Sequence, residues 1–225
     1  MARVVKTWRS VRTKKAVLNA LSLICCMGFF LGGCGPRSGL YPESTLGTPE
    51  HYVFNGFALL RMERPEDAQR EFEQALKLDP KCSGAYRGMG WVEGRRGDLP
   101  AAFASMTHAK EIAKTNEEKA LVEVGFMGLY TMQKGPDWVQ RVEQSFSVAC
   151  SLEEDLPEAY FELGMAYKQA HRYADAEKAF RKVIWIHGSL VSEAKEELES
   201  IQEILRGSPR SPSSRNDLIH GLLPT

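Results

Sequence analysis

One spacing governs what this chain can become. Tyr52, Gly56, Ala68, Phe72, Ala75 and Pro80 are followed 34 residues later by Tyr86, Gly90, Ala102, Met106, Ala109 and Lys114. A third set keeps the same order of residue types: Tyr160, Gly164, Ala176, Phe180, Val183 and Gly188, with Leu163 and Tyr167 added. Self-similarity at a fixed period marks a unit that buries its apolar face only by stacking on its neighbours. From Pro49 to about Arg206 the apolar residues keep helical spacing, and no apolar–polar alternation is long enough for a strand. Arg64-Pro65-Glu66-Asp67, Gly97-Asp98-Leu99-Pro100 and His171-Arg172-Tyr173 divide the units into pairs of helical runs. Gly56, Gly90 and Gly164 fall inside the first run of each pair, where glycine costs roughly 0.5–1 kcal/mol relative to alanine. A small residue recurring at that place implies close approach of a neighbouring helix. Ala68, Ala102 and Ala176 are the matching small contacts on the second run, and Phe72 and Phe180 fill the space between hairpins.

This pattern resembles the tetratricopeptide repeat, in which a large residue, Leu-Gly and an aromatic precede Ala, Phe, Ala and Pro at set offsets. The likeness is strongest over Pro157–Ile186, where Ala-Tyr-Phe-Glu-Leu-Gly-Met-Ala-Tyr leads to Tyr-Ala-Asp-Ala-Glu-Lys-Ala-Phe. It implies an all-α fold, a tetratricopeptide-type α-solenoid of three to four helical hairpins over residues 49–206. Val191, Ala194, Leu198, Ile201 and Leu205 share one helical face and predict a capping helix at the C-terminal end. The middle unit departs from the pattern. Counting forward starts it at Glu117, counting back starts it at Glu123, and the excess is expected as a longer first helix or a loop near Thr131–Trp138. Gly135-Pro136 must end a helix there. Val142, Phe146 and Ala149 keep the second-helix offsets.

The N-terminus reads as an address. Arg3, Lys6, Arg9, Arg12, Lys14 and Lys15 precede Val17–Leu31, a run of mostly apolar residues interrupted by Asn19 and Ser22. Fifteen helical residues span about 22 Å, short of the roughly 30 Å hydrocarbon core. Such a segment is expected to be a secretory signal. Leu31-Gly32-Gly33-Cys34 resembles the bacterial lipobox, which implies cleavage after residue 33 and diacylglyceryl attachment to the Cys34 thiol. Two or more acyl chains anchor stably where one binds only marginally. The same resemblance, with Gly35 rather than Asp after the cysteine, implies the periplasmic leaflet of the outer membrane in a Gram-negative cell and the outer surface in a single-membrane one. Residues 34–48, rich in Gly, Pro, Ser and Thr, read as a flexible tether. Residues 207–225 read as a solvated tail carrying a short apolar stretch, Leu218-Ile219-His220-Gly221-Leu222-Leu223.

Removing the first 33 residues leaves 23 basic against 29 acidic side chains, a net charge of −6. An acidic chain is not expected to bind a nucleic-acid backbone, which needs clustered Lys and Arg. Cys82 and Cys150 remain, two repeat lengths apart, farther than the ~7 Å between Cα atoms that a disulfide allows, and read as small packing residues. Gly88-Met-Gly90-Trp-Val-Glu-Gly94 lies within a helical run, not after a strand, and is no dinucleotide loop. The five histidines show no metal-ligand spacing, and Glu153-Glu154-Asp155 reads as a solvated helix end. No catalytic constellation, cofactor or metal site is expected.

The resemblance further implies a concave groove lined by the first helix of each hairpin. Repeat arithmetic places Val53, Phe57, Leu60 and Arg61 there in the first unit, Arg87, Trp91 and Arg95 in the second, and Phe161, Met165 and Lys168 in the last. Phe57, Trp91 and Met165 share one offset and Arg61 and Arg95 another. Aromatic and Arg side chains are the usual binding hot spots. Val53 and Phe57 stand where the family's chaperone-binding carboxylate clamp needs Lys and Asn, so that activity is not implied. The expectation is a lipid-anchored, non-catalytic scaffold holding other envelope proteins or peptides, such as pilus, secretion or outer-membrane assembly components. The alternative is an accessory subunit of an envelope enzyme acting on peptidoglycan or polysaccharide.

Overall fold

The computed structural model describes residues 46–207; the signal segment, Cys34, most of the tether and the tail beyond Gly207 lie outside the described residues. The described residues hold helices α1 (Pro49–Arg61), α2 (Pro65–Leu78), α3 (Ser83–Arg95), α4 (Leu99–Ile112), α5 (Asn116–Gln133), α6 (Trp138–Leu152), α7 (Pro157–Gln169), α8 (Tyr173–Ile186) and α9 (Val191–Gly207). None is long and apolar enough to cross a membrane.

Local chemistry sets the helix ends. Thr48 caps α1 by accepting the His51 amide, and Pro49 and Pro65 occupy first-turn positions that need no amide donor. α5 starts with a capping box between Thr115 and Glu118. The hairpin turns place Glu63, Gly97 and His171 at positive φ, a conformation that costs a side-chain-bearing residue roughly 1–2 kcal/mol and glycine little.

Consecutive helices pair into four hairpins, α1/α2, α3/α4, α5/α6 and α7/α8, and α9 packs on α8. The first helices also pack on one another in the order α1, α3, α5, α7. Phe72 is fully buried against both Gly56 of its own hairpin and Gly88 of the next, where any side chain would collide with its ring. Met106 repeats that wedge between Gly90 and Gly125, and Phe180 packs against Gly164. Ala68, Ala102, Ala176, Ala75 and Ala109 are all without solvent exposure, as their recurrence implied.

The irregular middle unit resolves as a longer first helix. α5 has 18 residues where α1, α3 and α7 have 13. It ends at Lys134 and Asp137, both in left-handed conformation around Gly135-Pro136. Val142 and Ala149 are buried, while Phe146 is only partly so and meets Tyr160 edge-on with ring centroids 5.0 Å apart. Buried Glu123 of α5 is held by Lys110 of α4 at 2.6 Å. In the capping helix Ala194 and Ile201 are buried, whereas Leu205 is 52% exposed. Cys82 and Cys150 are free thiols, and burial pushes the pKa of both up.

A candidate groove along the first helices

Because the first helices form one layer, side chains four residues apart on each make a continuous strip. In register, Gly84 and Gly88 of α3 stand where Glu158 and Glu162 stand in α7. Trp91 extends from α3 onto Gly128 of α5, which has no room for a side chain beneath the indole. It packs against the cores of both the first and second hairpins and forms a floor rather than a free blade. Phe57 meets Phe72 edge-on with centroids 5.2 Å apart, and the Arg87 guanidinium lies over the Phe57 ring at 4.1 Å.

The other anticipated groove residues have different settings. Val53 touches α3 at Gly84, and Leu60 is buried in the first core. Arg61 is exposed and makes no ion pair among the described residues. Arg95, also exposed, donates from Nη1 to the Leu60 carbonyl at 2.8 Å, tying α3 to the C-terminal end of α1. Phe161 packs on Phe180 with centroids 5.5 Å apart, and Met165 is half-buried beside it in the last core. Lys168 is committed within the protein: its Nζ reaches Glu197 Oε2 at 2.5 Å and Ser200 Oγ at 2.9 Å, fastening α9 to α7.

Electrostatics links helices that are not packed neighbours. Burial lowers the Arg87 guanidinium to about 10, opposed by the negative charge of Glu158 on α7. Burial raises the Glu162 carboxyl to about 7, opposed by the positive charge of Arg95 on α3. α5 stands between α3 and α7 in the layer of first helices. Neither Arg87 nor Glu162 makes an ion pair among the described residues. Glu158 and Glu162 were not anticipated from the sequence, although their register with Gly84 and Gly88 identifies them. Among the described residues no group of three or more His, Cys, Asp or Glu is placed to hold a metal ion.

Comparison with known proteins places this architecture. Residues 56–117 and, separately, residues 157–184 match models of the tetratricopeptide repeat. No curated protein matches the chain. Among solved structures, a thermophilic tetratricopeptide-repeat protein of Thermus thermophilus aligns over 70% of this chain and 82% of its own, at 16% identity and TM-score 0.54. A chain of the APC/C hetero-tetramer Cut9–Hcn1 aligns over 71% of this chain and 31% of its own, at 16% identity and TM-score 0.52. The Pseudomonas aeruginosa pilF protein aligns over 74% and 79%, at 18% identity and TM-score 0.46. At these identities the likeness is one of fold. With its hairpins stacked through recurring glycine, alanine and phenylalanine, the chain carries tetratricopeptide repeats over residues 56–117 and 157–184 and has an all-α tetratricopeptide-repeat fold.

Proposed function

We propose that this protein is a non-catalytic scaffold that holds an extended segment or helix of a partner protein in the groove while its N-terminal lipid keeps it on a bacterial envelope membrane. The observation that supports the groove is its lining: Trp91 laid over Gly128, Phe57 under the Arg87 guanidinium, and exposed Arg61 and Arg95 at one repeat offset. Arg87 on α3 and Glu162 on α7 are half-buried, neither has an ion pair among the described residues, and burial displaces the pKa of each toward its neutral form. Partly desolvated charge without an ion pair is costly, and a ligand that supplies one recovers part of that cost. The Phe57–Trp91 floor on α1 and α3 offers apolar contact to the same ligand. The anchor rests on Leu31-Gly32-Gly33-Cys34 and the basic and apolar stretches before it. Tethering of this kind raises the effective concentration of a partner without adding a contact.

One experiment reads both parts. Cells grown with radiolabelled palmitate are treated with crosslinker, and the protein is recovered from the membrane fraction. Wild-type chain is expected to carry label and a crosslinked partner. Cys34→Ser removes the label; Arg61→Glu with Arg95→Glu keeps it and cuts partner recovery by about tenfold or more. Unlabelled wild-type chain contradicts the anchor, and undiminished recovery by the double variant contradicts the groove.

A further inference from the structure

The first helices run in the same direction. Val53 near the start of α1 meets Gly84 near the start of α3, and Arg95 at the end of α3 bonds the Leu60 carbonyl near the end of α1. Trp91 lies on Gly128 and Gly94 faces Leu129 and Met132, so α5 keeps that direction. One hairpin later α7 packs on α5. The layer therefore has one margin made of helix starts and another made of helix ends.

The two margins carry opposite charge. Glu50, Glu117 and Glu158 stand in the first turns of α1, α5 and α7. The negative charge of Glu50 acts on Cys82, the residue that precedes α3, and those of Glu158 and Glu117 act on Arg87, so the three acids gather around the start of α3. Glu50 and Glu117 are exposed, Glu158 is half-buried, and none makes an ion pair among the described residues. At the other margin α1 ends with Arg61 and α3 with Arg95, both exposed. The Arg95 bond to the Leu60 carbonyl brings its guanidinium beside the residue that precedes Arg61. Neither arginine makes an ion pair among the described residues. α7 adds no free charge there, because Lys168 is bonded to Glu197 and Gln169 is neutral.

Acid at a helix start and base at a helix end is the ordinary response to the helix macrodipole. Parallel packing lines up three such starts and two such ends along one layer. Glu50 and Arg61 are eleven residues apart, about 16 Å along the helix. That is twice the roughly 8 Å Debye length at physiological salt, so neither margin cancels the other for a ligand lying across them. Between the margins the protein's own side chains fill the layer, with Arg87 over Phe57 and Trp91 over Gly128. The choice of charge therefore falls to the margins.

We infer that the groove takes a partner surface of split charge, with carboxylates facing Arg61 and Arg95 and Lys or Arg side chains facing Glu50, Glu117 and Glu158. The inference rests on the groove being a protein-binding surface and adds the chemistry and direction of what it holds. A partner turned the other way sets like charges against both margins, which is strongly unfavourable. A partner helix of ordinary polarity, acidic at its start and basic at its end, meets both margins when it runs antiparallel to α1 and α3.

The test uses the full chain in the living cell, with a photo-reactive phenylalanine analogue at one of two exposed uncharged positions. Met62 adjoins Arg61, and Asn116 adjoins Glu117. After irradiation, mass spectrometry identifies the partner peptide joined at each position. Within about one helical turn of the joined residue, the peptide from position 62 is expected to be net acidic and that from position 116 net basic. Arg61→Glu with Arg95→Glu, and separately Glu117→Lys with Glu158→Lys, are each expected to cut adduct yield about tenfold or more. Peptides in the reverse order, of one sign at both positions or without charge overturn the inference, as does undiminished yield from either double variant. Adducts at both positions without the charge order strike the inference and leave the groove standing; no adduct from either position strikes both.

Discussion

Phe72→Ala is expected to destabilise the array by about 3–5 kcal/mol in chemical denaturation, the upper range for loss of a buried aromatic. The ring fills the space between α1, α2 and α3, and two of its contacts are the backbones of Gly56 and Gly88, which cannot close on the void without moving helices. Gly88→Ala is expected to destabilise as well, against the usual 0.5–1 kcal/mol that alanine gains over glycine within a helix. The two substitutions together should cost less than their sum, since removal of the ring opens the space the new methyl needs. A loss below about 1 kcal/mol for Phe72→Ala contradicts the stacking account.

Glu162→Gln is expected to stabilise the protein at pH 8 and to do little at pH 4.5. Burial raises this carboxyl from an ordinary 4.5 to about 7. Between those values the folded chain holds a proton that the unfolded chain has released, so stability falls as pH rises through that window. Above pH 7 the folded protein carries a carboxylate that the concave wall solvates poorly. Glutamine removes that charge, with an expected gain on the order of 1–3 kcal/mol. Urea titrations of both proteins at pH 4.5 and 8 check it. Equal stability differences at the two pH values would show that Glu162 ionises as a solvated carboxylate does.

The repeat was legible because its physics is local and recurrent. A glycine, an alanine and a phenylalanine returning at 34-residue spacing require helices that touch at the same points each time, and the structure places them there. The middle hairpin was less legible. Its extra residues had two outlets, helix or loop, and only the folded chain shows that they lengthen α5. Groove residues were legible by position but not by employment. Repeat arithmetic puts Lys168 and Arg95 on the lining helices, yet it contains nothing of Glu197, Ser200 or the Leu60 carbonyl, which come from other helices and engage those side chains. Trp91 is similar: its neighbour Gly128 lies in the unit whose register the sequence left open. Glu158 and Glu162 were not legible because glycine holds their positions in the second hairpin, at Gly84 and Gly88, so the repeat carries no acid there.

The groove as a protein-binding surface is tested most directly by placing a photo-reactive phenylalanine analogue at single positions in the living cell. Arg61 and Gln169 lie at the same repeat offset on the groove-lining helices, and Lys77 and Glu111 lie exposed on second helices. Irradiation is expected to join the same partner protein to the chain from positions 61 and 169 and to give no such adduct from 77 or 111. Adducts only from the second-helix positions, or equal adducts from all four, would contradict the account.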